Sequence, residues 1–208
     1  MTLITLRQAA DRFDISLAAF RKIAAAGLLP AAGHPGATPV IPEDAARRIA
    51  DRSHVTAHLL LSASASTNTV AVLRVDVAKP VRDEDRPYIG FHADLAPEHL
   101  LEALRGWWVG SPEKIARAGV LPVTLGGFVV AVLTGLGGWE SKLPGDGLIR
   151  HRFDARLAGY ITDLDAPVNA VRSGSPEDLR IADLVLGRRL RSTSGGPIAY
   201  VTSSARKS

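Results

Sequence analysis

Residues 118–139 read AGVLPVTLGGFVVAVLTGLGGW, with no charged side chain between Arg117 and Glu140. A run this long matches the requirement for a membrane-spanning helix, about 20 apolar residues. Its internal chemistry argues otherwise. Pro122 and two pairs of adjacent glycines punctuate it, and Gly126-Gly127 separates VLPVTL from FVVAVLTGL, two runs rich in β-branched residues. A glycine pair reaches the positive φ angles that a tight hairpin turn requires. The spacing therefore predicts a hairpin over residues 120–136 whose strands are buried on both faces. It is a core element, and no membrane partner is expected.

The chain ahead of residue 54 has a different rhythm. Thr5 can cap a helix whose apolar residues Leu6, Ala9, Ala10 and Phe13 recur at helical spacing. Asp14 and Ile15 form a short turn, and Ser16 is the next capping residue. Leu17, Phe20, Ile23 and Ala24 make a second apolar stripe, which Gly27 is placed to terminate in a left-handed conformation. Beyond a Gly/Pro-rich stretch, Pro42-Glu43-Asp44 opens a third helix, with acids where the helix dipole favours them. Phe13, Leu17, Phe20, Leu28 and Ile49 are the expected core of this part.

The order TLRQAADRFDISLAAFRKIAAAGLLP…VIPEDAARRI resembles the helix-turn-helix head of MerR-type regulators and phage excisionase-like proteins. The resemblance covers about a quarter of the chain. It implies a second helix, 17–26, that enters the major groove of double-stranded DNA with its N-terminal half near base edges. Carried over by position, Ser16, Ala18, Ala19, Arg21 and Lys22 face DNA. Arg21 is the side chain able to read guanine bidentately, whereas Lys22 suits phosphate. The wing, PAAGHPGATP, departs from the family habit. It carries only His34 where arginines normally track the backbone, and Arg47, Arg48 and Arg52 on the third helix are the candidates to compensate. MerR proteins dimerise through a long helix after the head. Strands follow here, so that dimer mode is not implied, although a homodimer stays open.

From His54 onward the pattern turns to strands. VTAHLLLSAS and TVAVLRVDVA read as β runs joined through ASTN, and RPYIGFH, LIRHRFDARLAGYITDL and GPIAYVTSS read as further strands. PEHLLEALRGWW, SPEKIARAG and SPEDLRIADLVLG each open with a helix-start signal. Grouped strands interrupted by a few helices argue α+β, with a curved sheet or small barrel. The landmarks RGWW…GGFVVAVL…GWE…HRF…GPIAYV resemble small PUA-like barrels, which implies that Trp107, Trp108 or Trp139 lines a pocket for a base or another small flat ligand. Arg188, Arg189 and Arg191, in LGRRLRSTSGG, carry no neighbouring acid and suit phosphate. The division expected is therefore a small all-α winged helix-turn-helix head over 1–53, an α+β domain over 54–202 and a flexible tail over 203–208.

Composition removes several functions. No cysteine is present, which excludes disulfides and thiolate chemistry. The six histidines show no metal spacing, LGGFVVAVLTGLGG lacks the lysine of a phosphate-binding loop, and no cofactor or catalytic residue is expected. Arg7, Asp11 and Arg12 come too early for a secretory signal, and a cytoplasmic, nucleoid-associated location follows as the expectation. The net charge of +4 fits a polyanion partner. The leading expectation is a DNA-binding transcriptional regulator. The rivals are a nucleic-acid or modified-base reader led by the second domain and a protein-interaction adaptor.

Overall fold

A computed structural model describes residues 2–29, 39–66, 68–83, 86–193 and 196–202. The chain opens with a short strand, β1 (Leu3–Thr5), and turns directly into α1 (Leu6–Arg12). Thr5 and Gln8 cap that helix reciprocally, each side chain accepting from the other's backbone amide. After the turn at Asp14 comes α2 (Leu17–Ala25), then β2 (Val40–Pro42) and α3 (Glu43–Ala50). β1 and β2 pair antiparallel with Ile4 opposite Ile41. The head is thus not all-α. Both isoleucines are buried, and pairing them ties the N-terminus to the entry of α3.

The remainder is mixed α and β. α4 (Ala57–Ser62) leads into β3 (Thr69–Arg74), the β4 (Lys79–Asp83) and β5 (Arg86–Ile89) hairpin, α5 (Pro97–Leu104) and α6 (Pro112–Ala118). Next come the long hairpin of β6 (Val120–Leu125) and β7 (Phe128–Thr134), and a second hairpin of β8 (Trp139–Lys142) and β9 (Arg150–Phe153). β10 (Arg156–Tyr160), β11 (Val171–Arg172), α7 (Pro176–Val185) and β12 (Ile198–Thr202) complete it. Six strands form one sheet in the order β11-β10-β7-β6-β3-β12. Every pair is antiparallel except β3–β6, whose parallel register needs the crossover that α5 and α6 supply. The sheet is open, with β11 and β12 at its edges, and does not close into a barrel.

The uncharged hairpin is where the sequence places it. Every residue of β6 and β7 is buried, and Gly126 and Gly127 turn the chain with φ of 60° and 88°. Three sequence expectations need correction. Residues 57–62 are helical, because the Thr56 hydroxyl caps the Leu59 amide and the helix buries Leu60 in the core with Leu59 and Leu61 packed at its margin. The preceding run therefore forms no hairpin with β3, whose neighbours are β12 and β6. The stretch 148–164 is not one strand. It breaks at Asp154-Ala155, sending β9 to pair with β8 and β10 to pair with β7.

One apolar core runs through both sides of residue 54. It includes Phe20, Ile23, Leu28 and Ile49 from the head and Val72, Leu73, Phe128 and Leu164 from the rest. Phe13 and Leu17 are only partly buried and pack at its margin. Backbone hydrogen bonds cross the same seam, from the Ala93 amide to the Ala26 carbonyl and from the Leu164 amide to the Leu28 carbonyl, each 2.9 Å. Among the described residues no helix is long and apolar enough to cross a membrane.

Candidate nucleic-acid interface

Ser16 starts α2 by accepting the Ala19 amide on its hydroxyl at 3.1 Å, and Gly27 ends it with φ of 73°. Between those caps the helix is two-sided. Phe20 and Ile23 are buried, while Ala18, Arg21 and Ala25 are exposed. Their spacing of three and four residues places these three on one stripe. Ala19, at the stripe's edge, is held close to the β6–β7 turn. A Cβ on Gly126 would lie 3.2 Å from the Ala19 carbonyl oxygen and from Ile23 Cγ2. The hairpin the sequence singles out is thus the shelf on which the helix rests.

A cleft of about 930 Å³ opens along one side of the stripe. Ser16, Ala19 and Lys22 form one wall, Arg74 at the end of β3 and Asp76 just past it another, and Arg191 belongs to the third. Ile15, Phe128 and Leu190 contribute apolar surface. Two carboxylates temper the cations. Lys22 Nζ lies 3.4 Å from Asp76, and Arg191 lies 3.4 Å from Asp14. All four side chains are well exposed, so these pairs are weak and readily exchanged for another anion. On the other side of the stripe, Arg21 joins Arg7, Thr5 and Leu17 around a smaller depression of about 320 Å³. Cations therefore flank the exposed stripe on both sides.

The other anticipated contact residues divide. Arg47 is exposed, its guanidinium 5.8 Å from the centre of the Phe13 ring. Arg48 is not available in the way the sequence suggests. It grips Asp165 with two nitrogens, at 2.6 and 2.8 Å, and donates to Asp44 at 2.9 Å. Its hydrogen bonds to Asp165 and then Asp44 raise its own pKa further, and its hydrogen bond to Asp44 pulls that carboxyl below the usual range. Arg52 donates to the carbonyls of Leu164 and Asp165, while its burial lowers the pKa. Arg48 and Arg52 thus fasten the head to the loop after β10.

The basic stretch at 188–191 also splits. Arg188 lines a separate pocket, while Arg189 and Arg191 both line the cleft, Arg189 with its guanidinium turned into the seam. The Arg189 guanidinium donates to the carbonyls of Asp14 and Ala50, and its backbone exchanges hydrogen bonds with Ser53 and Val55. His34 and the tail at 203–208 lie outside the described residues.

No tryptophan lines the cleft or the depression beside α2. Trp107 and Trp108 are buried, and the Trp108 indole donates to the Leu104 carbonyl at 2.7 Å. Lys142 lies 4.2 Å from the centre of a Trp107 ring. Only Trp139, on the β8–β9 hairpin, is exposed. Among the described residues no group of three or more His, Asp or Glu is placed to hold a metal ion.

Sequence reasoning missed Arg7, Arg74 and the two carboxylates of the cleft. Arg74 ends an apolar strand and carries no local signal. It reaches α2 only because β3 pairs with β6, a contact between residues far apart in the chain. No protein-family model, curated protein or solved structure matches the chain.

Proposed function

We propose that this protein binds double-stranded DNA and acts as a transcriptional regulator, presenting the outer stripe of α2 to the major groove. The observation that carries the reading is the two-sidedness of α2: its core face is buried, while Ala18, Arg21 and Ala25 stay exposed between two sets of cations. A helix inserted in the groove has a sugar-phosphate backbone on either side. Lys22, Arg74 and Arg191 stand on one flank and Arg7 on the other, so each can meet one of the two backbones. Phosphate contacts of this kind fix position and affinity without reading sequence.

Readout is sparse. Alanines offer only apolar contact to a thymine methyl, so Arg21 is the main sequence reader, through a bidentate contact to guanine. The order of head residues, similar to MerR-type and excisionase-like proteins, supports the regulatory role. Burial of Trp107 and Trp108 weighs against a base reader led by the second region.

Binding-site selection from a randomised duplex pool tests the proposal. Wild type is expected to enrich a short motif containing a guanine step. Arg21→Ala is expected to lose that preference, with about 1–3 kcal/mol less discrimination at one base pair. Arg191→Ala is expected to weaken all sequences alike. Enrichment of the same motif by Arg21→Ala contradicts the assignment of α2.

A further inference from the structure

A second arginine-lined pocket, of about 490 Å³, lies on the seam between α3 and the later chain. Arg52 reaches it from just after α3, Arg172 from β11 and Arg188 from the segment after α7. Arg48 also borders it, but its hydrogen bonds to Asp44 and Asp165 already engage it. Two acids share the walls, Asp51 and Asp183. Asp183 is engaged by Arg172 Nε at 2.6 Å, and Asp51 is exposed.

The three remaining guanidinium groups are unequally satisfied. Arg172 uses Nε on Asp183 and one terminal nitrogen on the Val168 and Ala170 carbonyls. Arg52 spends one terminal nitrogen on two carbonyls, and its buried Nε has no hydrogen-bond partner. A buried donor left unpaired is costly, though this nitrogen is covered and does not itself face the pocket. Arg188 makes no side-chain hydrogen bond to a described residue. The C-terminal end of α3 does not supply the missing partner either: the Ala50 carbonyl is taken by Arg189 and the Ile49 carbonyl by the Asp51 and Arg52 amides.

We infer that this pocket binds a small multiply charged phosphate anion, gripped by Arg188 and Arg172 with Arg52 behind them. The Arg188 fork matches a pair of phosphate oxygens, and the terminal nitrogens that Arg172 and Arg52 leave uncommitted favour a ligand with several such oxygens over a monocarboxylate. The pocket volume suits a ligand of pyrophosphate to nucleotide size. Because the pocket joins the head to the later chain, a bound anion stabilises that seam.

Inorganic pyrophosphate is the probe, titrated calorimetrically into the full chain, with amide chemical shifts followed in parallel. Wild type is expected to bind, with shifts centred on Arg52, Arg172 and Arg188. Arg188→Gln is expected to weaken binding about tenfold or more, as loss of a charge-assisted contact should. Arg188→Lys, which keeps charge but loses the fork, should fall between them. Arg191→Gln, which alters only the cleft beside α2, should leave the affinity within about twofold, since distant sites act independently. Absence of binding at millimolar pyrophosphate overturns the inference. So does binding that Arg191→Gln abolishes and Arg188→Gln leaves intact, which places the anion in the cleft. The titration contains no DNA, so failure here leaves the proposal for α2 standing, and failure of that proposal leaves this one untouched.

Discussion

The guanidinium of Arg189 donates to the backbone carbonyl of Asp14, joining the segment after α7 to the turn between α1 and α2. A second donation, to the Ala50 carbonyl at the end of α3, makes Arg189 a clamp on two elements of the head. Its side chain is only 16% exposed, so water competes little. Arg189→Gln is expected to cost about 1.5–3 kcal/mol, the range for hydrogen bonds from a charged donor. Chemical denaturation checks this, and a change below the error of the extrapolation contradicts the clamp.

Gly126 should be intolerant for two separate reasons. Its φ of 60° disfavours any L side chain, and a Cβ there would press on Ala19 and Ile23 of α2. Gly126→Ala is expected to destabilise by about 1–3 kcal/mol, combining backbone strain with overpacking. Gly127 has the same kind of backbone but open space around it. Gly127→Ala should therefore cost less, about 1 kcal/mol. Equal losses in thermal denaturation contradict the view that α2 rests on this turn.

Much of this was legible in the sequence. The caps at Thr5, Ser16 and Ser175, the stop at Gly27 and the buried hairpin expected over 120–136 all follow from local chemistry and all occur, the hairpin strands ending at Thr134. The failures were of two kinds. VTAHLLLSAS carries leucines and a capping threonine that suit a helix as well as a strand, and tertiary packing chose the helix. The cleft, the Arg189 clamp and the Arg48–Asp165 pair join residues more than a hundred positions apart, and no periodicity encodes them. Arg48 reads as a free cation until Asp165 is placed beside it.

Arg47 and Arg48 are neighbours in sequence and should behave as opposites. Arg47→Ala removes an exposed cation and is expected to weaken DNA binding while changing stability by no more than about 0.5 kcal/mol. Arg48→Ala breaks the bidentate pair with Asp165, itself largely buried, and is expected to lower stability measurably, more than Arg47→Ala does. Denaturation and DNA titration on both variants decide the matter, and a reversed pattern contradicts the division of roles.

Acid should loosen the α7 end of the sheet. Burial pushes the Asp178 carboxyl up, but the Thr134 hydroxyl, then the Ser175 amide and hydroxyl and Arg156, more than offset this, holding it at about 2. Because the folded value lies below the unfolded one, near 3.9, the contribution is complete above about pH 4 and is lost as pH falls toward 2. Arg156 is itself largely exposed and its share is screened, so the expected contribution is about 1–2 kcal/mol. Asp178→Asn should flatten that part of the stability–pH curve. An unchanged slope between pH 4 and 2 contradicts the assignment.

The most direct test of α2 as a DNA-binding element is the salt dependence of duplex binding, followed by fluorescence anisotropy in wild type and in Arg7→Ala, Lys22→Ala and Arg191→Ala. The account predicts that log affinity falls linearly with log salt, and that each substitution makes the slope shallower by about one. Affinity that does not respond to salt, or slopes that none of the three substitutions changes, would contradict it.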